Sequence, residues 1–503
     1  MIPTRQHKES IRPGYLAQEA ALILLFSYVI LVGGGMDGLV DTKRRIMTTF
    51  LFVAVGVVWL ASRYLHHRSF PATAVDAALL GYVAAHAVTA AASMDPRRSA
   101  IYVWILGASV LIFYLFVDVL RHGWPDELLV KTLLIVGSVV LALGALELAG
   151  WYGAWHAVWG WARPIPATTM RASGSLGDPN WLAALLNLMW PLALARLWTT
   201  RRRLPRLLLI LWLAVAGILL YFTSSRGGWL GTIGAAVTLL LLAQGLHRRL
   251  QGPIDWLMAH KWRFAVVGLI TIGAGILGAT LLSRQLAHPS HASGLEARLY
   301  FWRPAWAAFR SSPIFGTGPF TYGETFLRAR SIPPERVFSV AHSYPINLAT
   351  ESGLLGLAGL AWLTLTLAHH LWRSWGELPA EGRPVRVGAM AALVGCAIHS
   401  QFDSVANVPY VSVILALLLA LLLAPGSTQS SSRRQSPRRR AMAWLLPLGW
   451  LVLVGTAVWS IRATLPFSRG LAAASAGRWR EAAALFDAAI RRDPGLATYD
   501  LQA

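Results

Sequence analysis

Apolar runs of about twenty residues alternate with short polar intervals along most of the chain, and each such run is long enough to cross a hydrocarbon core as a helix. About thirteen runs meet that length; they begin near Gln18, Ile46, Ala72, Ser99, Leu128, Trp181, Leu204, Gly228, Phe264, Pro345, Val385, Val408 and Met442. The runs at Ala72 and Val385 are Ala-rich and interrupted by His86 and His399. One interval breaks the rhythm. From Leu282 to Glu351 the chain is long, mostly polar and rich in Arg, His, Gly and Pro, so it must lie outside the bilayer, organised by the helices that flank it. The pattern predicts an all-α polytopic membrane protein with about 12–13 transmembrane helices and a long extramembrane loop over residues 283–344 that bears short helices.

Beyond the membrane domain, expected over residues 1–465, the pattern changes. The stretch 426–440, GSTQSSSRRQSPRRR, is polar, basic and low in complexity, and predicts a flexible cytoplasmic linker ahead of the last span. Residues 466–503 contain GLAAASAGRWREAAALFDAAIRRDPG, which resembles one tetratricopeptide repeat, with Gly477, Trp479, Ala482, Ala483, Phe486, Ala489, Ile490 and Pro494 at fitting places. A single helical hairpin of this kind cannot bury its apolar face alone. It is expected to pack on the membrane domain, on a protein partner, or on further repeats, which the closing YDLQA, reading as the start of another helix, favours.

Charge fixes the orientation. The 503 residues are 55% hydrophobic and 14% charged, with a net charge of +22, yet the basic residues fall in short clusters between apolar runs and form no aromatic-interleaved face. Membrane topology accounts for them and nucleic acid is excluded as a partner. Arg5, Lys8 and Arg12, Arg63 and Arg68, Arg201–Arg203, Arg248 and Arg249, Arg373, Arg383 and Arg386, and the Arg433–Arg440 cluster share one side, which the positive-inside rule makes cytoplasmic. Lys43, Arg44 and Arg45 are the exception. The long loop and the tail then lie outside, which in a bacterial inner membrane is the periplasm. The single cysteine, Cys396, lies within an apolar run and rules out an intramolecular disulfide and a thiolate metal site. Ala17–Val32 reads as a retained first span, without a small-residue cleavage site.

Three residues are brought to the outer face by this topology: Arg226 in the tight turn SSRGGWLG, Arg298 in GLEARLYFW, and His342 in AHSYPINLATESG. Guanidinium forks fit phosphate oxygens, and an imidazole can take a proton near neutral pH, so the set suits an anionic leaving group and a hydroxyl nucleophile. The competing reading at each arginine is a helix-end side chain that snorkels to lipid headgroups, and for the histidine a solvated or capping residue. Two other classes stand beside an enzyme. A transporter for a lipid-linked substrate would place ionisable groups within its spans, where few lie here; a scaffold would not need the long loop and its Arg/Arg/His set.

The ordered segments SSRGGWLG, ARLYFWRPAW, SPIFGTGPFTYGETF and AHSYPINLATESGLLGLAG resemble the O-antigen ligase and polymerase superfamily of bacterial membrane glycosyltransferases, over about Leu207 to Leu360. The resemblance implies transfer from a polyprenyl (undecaprenyl) diphosphate-linked glycan to an acceptor hydroxyl on lipid A core, another glycan or a protein, with lipid A core the commonest family assignment. It implies no cofactor and no metal. Arg226 and Arg298 would bind the donor diphosphate, His342 would activate the acceptor, and Asn180, in GDPNW, would help shape the pocket. Arg303, His399 and Asp403 are further candidates. Direct displacement would invert the anomeric centre, since nothing points to a covalent glycosyl-enzyme carboxylate. The three principal side chains are expected to line one outward-facing cavity beside a lateral opening for the polyprenyl tail.

Overall fold

The computed structural model describes residues 13–33, 42–65, 70–121, 126–160, 170–243, 294–329, 338–375, 382–424 and 437–494. These hold helices and, among the described residues, no strand: α1 (Pro13–Tyr28), α2 (Thr42–Leu65), α3 (Asp76–Ala91), α4 (Pro96–Arg121), α5 (Asp126–Trp159), α6 (Pro179–Thr199), α7 (Arg203–Phe222), α8 (Arg226–Ala243), α9 (Gly294–Ser311), α10 (Tyr322–Arg328), α11 (Tyr344–Ser374), α12 (Arg383–His399), α13 (Pro409–Leu423), α14 (Pro437–Ser475) and α15 (Trp479–Arg492). Eight of them, α2, α4, α5, α6, α7, α8, α11 and α14, are long and apolar enough to cross a membrane. The chain is an all-α polytopic membrane protein. The runs expected near Gln18, Ala72 and Val408 form shorter apolar helices. The run near Val385 forms the 17-residue α12, and the one near Phe264 lies outside the described residues.

Local chemistry bounds α6. Asp178 caps α6, its carboxylate accepting from the amides of Asn180 and Trp181, and Pro179 fills the first turn where no amide partner is needed. Small residues let α12 press against α6 and α8: the Gly395 and Gly231 backbones approach so closely that a Cβ on either would come within 3 Å of the other's carbonyl oxygen. At the end expected to face the cytoplasm, Arg63 of α2 pairs with Asp118 of α4, which also accepts from Trp59 Nε1 at 2.7 Å. Arg196 meets Glu127 at 2.8 Å. The opposite ends of α4, α6, α8, α11, α12 and α13 gather the Asp95, Asp178, Arg226, Tyr344, His399 and Pro409 region, and the candidate site is there.

The loop before α11 is pinned to that helix at a break. Gly353 has φ 58° and ψ −156°, a conformation essentially confined to glycine. The Pro313 and Ile314 carbonyls accept from the amides of Leu354 and Leu355, and the amides of Thr317 and Gly318 donate to the carbonyls of Thr350 and Glu351. The apolar Phe301, Tyr322 and Phe326 fill the space between α9, α10 and the loop.

The last span and the tail are one element. α14 starts at Pro437, inside the stretch expected to be linker, and runs on past the span to Ser475; α15 folds back on it through Gly477 (φ 73°). Phe467 and Phe486 pack at 5.7 Å between ring centres. The hairpin is tied to the membrane domain: Arg97 of α4 donates to both oxygens of Asp493 at 2.7 and 2.6 Å, and its guanidinium lies 4.9 Å from the Trp459 ring.

Gly353→Ala is expected to destabilise the loop end of the protein by at least ~1–3 kcal/mol, the cost of a strained backbone, because the new Cβ would also meet Ile314 O at 2.4 Å. Thermal unfolding in detergent checks this; an unchanged Tm would show that the break is dispensable.

Candidate functional site

The turn Phe402–Asp403, just after α12, is where the expected residues meet. From α8, Gly227 backs onto the His399 ring and Phe402 Cβ, so Arg226 begins its helix beside them. From α9, the Arg298 guanidinium lies 5.2 Å from the Phe402 ring centre and Nη2 donates to the Phe402 carbonyl at 3.4 Å. From the segment before α11, His342 Nδ1 lies 3.3 Å from Asp403 Oδ1, at the long end of the hydrogen-bond range.

His342 is held in an uncommon conformation. Its φ of 49° is left-handed, and few non-glycine residues adopt that without support. The support comes from its neighbours: the Ala341 carbonyl accepts from Trp302 Nε1 at 3.1 Å, and the Tyr344 amide donates to the Ser400 carbonyl at 2.8 Å. The ring rests against Phe301 at 4.9 Å between centres, and about a third of the side chain stays open. An ionised carboxylate can only accept, so Asp403 directs the proton of a neutral imidazole to Nδ1 and leaves the Nε2 lone pair free to act as a base.

Electrostatics keep the Asp403 carboxyl ionised. Burial alone would push the Asp403 carboxyl up, but the hydrogen bond and charge of His342, the Ser404 amide and His399 together hold it below the usual carboxylate value. Asp178 is shifted the other way, raised chiefly by burial and further by the charge of Asp403, against the opposing pull of the Trp181 and Asn180 amides and Arg171. Burial also lowers Arg298; the nearby Arg226 lowers it further while Asp403 opposes both. Two arginines that repel each other next to a partly buried boundary form a place where a polyanion relieves strain.

A cavity of about 970 Å³ opens beside this turn. His342, Asp403 and Asp178 lie at its polar end with Arg97 and Arg98, and apolar side chains of α1, α2, α4, α13 and α14, among them Phe52, Trp104 and Val413, line the rest. Its described lining does not include Arg226 or Arg298. The expectation of one cavity lined by all three principal residues is therefore met only at His342. Arg298 reaches the shared turn at Phe402, while Asp403 is the turn residue that lines the cavity.

The other expected residues are spread around this centre. Asn180 Oδ1 accepts from Arg171 Nη2 at 3.1 Å, and Arg171 Nε donates to the Thr223 carbonyl at 2.8 Å, so Asn180 is linked to the turn that precedes Arg226. His399 is fully buried, 3.5 Å from Ser225 Oγ, behind the same turn. Arg303 is exposed on α9, roughly 140° around the helix from Arg298. Sequence reasoning passed over Arg97 and Arg98; Arg98 pairs with Glu324 at 3.2 Å. The available signal was two adjacent arginines on the side that the positive-inside rule leaves poor in basic residues. Among the described residues no group of three His, Cys, Asp or Glu side chains is arranged to hold a metal ion.

Fold and site together define a polytopic membrane protein whose polar centre sits at one end of an apolar cavity. A family model described as O-antigen ligase matches residues 209–361, which run from α7 through the loop to the first half of α11. Over that segment the chain is similar to the O-antigen ligase family, which supports a role in O-antigen or polysaccharide assembly at a membrane. No curated protein matches the chain.

Asp403→Asn tests the charge balance. A carboxyl whose folded value is depressed adds stability above the ordinary carboxylate range, and that stability is lost as pH falls through the lowered value. The Tm of the wild type should exceed that of Asp403→Asn near neutral pH, and the gap should close as pH falls below the carboxylate range. A gap that is constant with pH would assign the difference to packing instead.

Proposed function

We propose that the protein transfers a glycan from a polyprenyl diphosphate to an acceptor hydroxyl at the periplasmic face of a bacterial inner membrane, with lipid A core as the acceptor. The observation that carries this reading is the convergence of Arg226, Arg298 and His342–Asp403 on one turn beside an apolar cavity.

In this mechanism the cavity takes polyprenyl chain and its polar end faces the diphosphate. Arg226 and Arg298 bind the diphosphate oxygens. His342 Nε2 removes the proton of the acceptor hydroxyl as its oxygen attacks the anomeric carbon. The bond from that carbon to the phosphate oxygen breaks, and polyprenyl diphosphate leaves with the electron pair. The configuration inverts. Charge grows on the leaving oxygen, and fixed guanidinium groups at a low-dielectric boundary stabilise it as it forms. Asp403 orients the imidazole and offsets its charge once it holds the proton.

The test is transfer by the purified protein in detergent with EDTA, from a polyprenyl diphosphate glycan to a panel of lipid A core, glycan and protein acceptors. The wild type should form a product on lipid A core, and His342→Ala should lose about a hundredfold to ten-thousandfold, the worth of a general base. Arg226→Ala and Arg298→Ala should weaken donor binding as well as turnover. Product on a glycan or protein instead would reassign the acceptor. Donor binding without transfer to any acceptor would support a transporter and overturn the mechanism.

A further inference from the structure

The geometry points to Asn347 and Glu351 as a polar relay inside α11 that sets the position of His342. The inference rests on His342 being the base of the proposed reaction. Neither residue lines the cavity, and both are almost fully buried, at 1% and 4% exposure. They are positioning residues, acting on the site through the backbone of Ala341.

The relay can be followed atom by atom. The Ala341 amide donates to Asn347 Oδ1 at 3.0 Å. Asn347 Nδ2 donates to Glu351 Oε2 at 2.8 Å, across one helical turn. Glu351 Oε1 accepts from the Tyr322 amide at 3.0 Å, where α10 begins. Glu351 thus joins three segments: its own helix, the start of α10 and, through Asn347, the residue before His342. A left-handed φ at His342 persists only where the surroundings over-determine it. The Ala341 amide is the contact on its amino-terminal side that would otherwise be unpaired in a dry interior.

The polarity of the chain of bonds is forced. A backbone N–H can only donate, so the asparagine oxygen must face Ala341; its nitrogen then faces Glu351, which must accept. Glu351→Gln turns one amide nitrogen against another if Tyr322 keeps its acceptor. Asn347→Asp sets two carboxyl groups in contact. Glu351→Gln alone leaves buried amide nitrogens without partners, and Asn347→Asp alone makes two buried carboxyl groups repel or share one proton. The double variant Asn347→Asp/Glu351→Gln restores these three bonds with the roles exchanged: the introduced carboxylate accepts from both the Ala341 amide and the glutamine nitrogen, and the glutamine oxygen accepts from the Tyr322 amide. The pair also keeps the same number of carboxyl groups in the same interior.

Two readouts on the full-length protein in detergent test this. Hydrogen–deuterium exchange follows the peptide containing Ala341–Tyr344, and glycan transfer from the polyprenyl diphosphate donor follows the site. Each single variant should exchange faster there, and transfer should fall about 100-fold, as for a catalytic group displaced by about an ångström. In the double variant both should return toward the wild type. Faster exchange in the single variants that the double variant fails to restore, or single variants that match the wild type, would overturn the relay even if the wild type transfers glycan. Exchange that follows the expected pattern in a protein that transfers nothing would keep the relay and sink the transferase reading. Restoration in the double variant also separates polarity from a failure to fold, because a merely structural defect would accumulate rather than cancel.

Discussion

Four backbone hydrogen bonds between the Pro313–Gly318 loop and the broken turn of α11 set the geometry on which the rest of the loop end depends. A helix interrupted near a membrane boundary exposes amides and carbonyls that water cannot reach and lipid cannot satisfy. Here the loop supplies the missing partners on both sides of Gly353. The same loop reaches α4, where the Met94 amide donates to the Thr317 carbonyl and Ser99 Oγ donates to the Pro319 carbonyl at 2.7 Å. One set of bonds, most of them main-chain, therefore ties the start of α4 and the loop between α9 and α10 to α11. The Pro and Gly residues of that segment are the chemistry of the joint: they supply the backbone shapes and free carbonyls that the break requires.

Electrostatic balance at the site follows from this placement. Arg226 and Arg298 approach closely enough to influence each other, and the buried Asp403 carboxylate acts on both Arg298 and His342. The carboxylate keeps the imidazole oriented and leaves the arginines only partly neutralised. A site of this kind gains most from a ligand with two or more negative charges, because such a ligand ends the repulsion between the two cations as well as pairing with each.

Much of the fold was legible because bilayer thickness writes itself into the length of apolar runs. Eight long helices begin within a few residues of where the hydropathy pattern predicts them. The pattern was less informative where a helix is shielded by its neighbours: α3, α12 and α13 need not be long or wholly apolar, and α12 carries Arg386 and His399 into the protein interior. The site divides in the same way. Arg226, Arg298 and His342 stand in short motifs at predicted helix ends, so their side of the membrane could be read. Asp403 was a further candidate, but its contact with His342 could not be read, because the two lie 61 residues apart and the packing of α12 against α8 brings the turn back to the loop. Asn347 and Glu351 were visible as letters of the AHSYPINLATESG motif, yet nothing in a linear pattern shows that one carboxylate bonds across to Tyr322 while serving the turn before His342.

The bond between Arg97 and Asp493 spans 396 positions of the chain and changes what the tail is mechanically. α14 leaves the membrane as a helix, turns at Gly477 and returns through α15 to the mouth of the cavity, where Arg97 also forms part of the wall. The hairpin is thus fastened at two points, once by covalent continuity with the last span and once by a charge pair shielded from solvent on the Asp493 side. It behaves as a bracket rather than a pendant. A pull on it is shared between α14 and the first turn of α4, two of the helices that bound the apolar chamber, and so reaches the chamber itself without any contact to its contents.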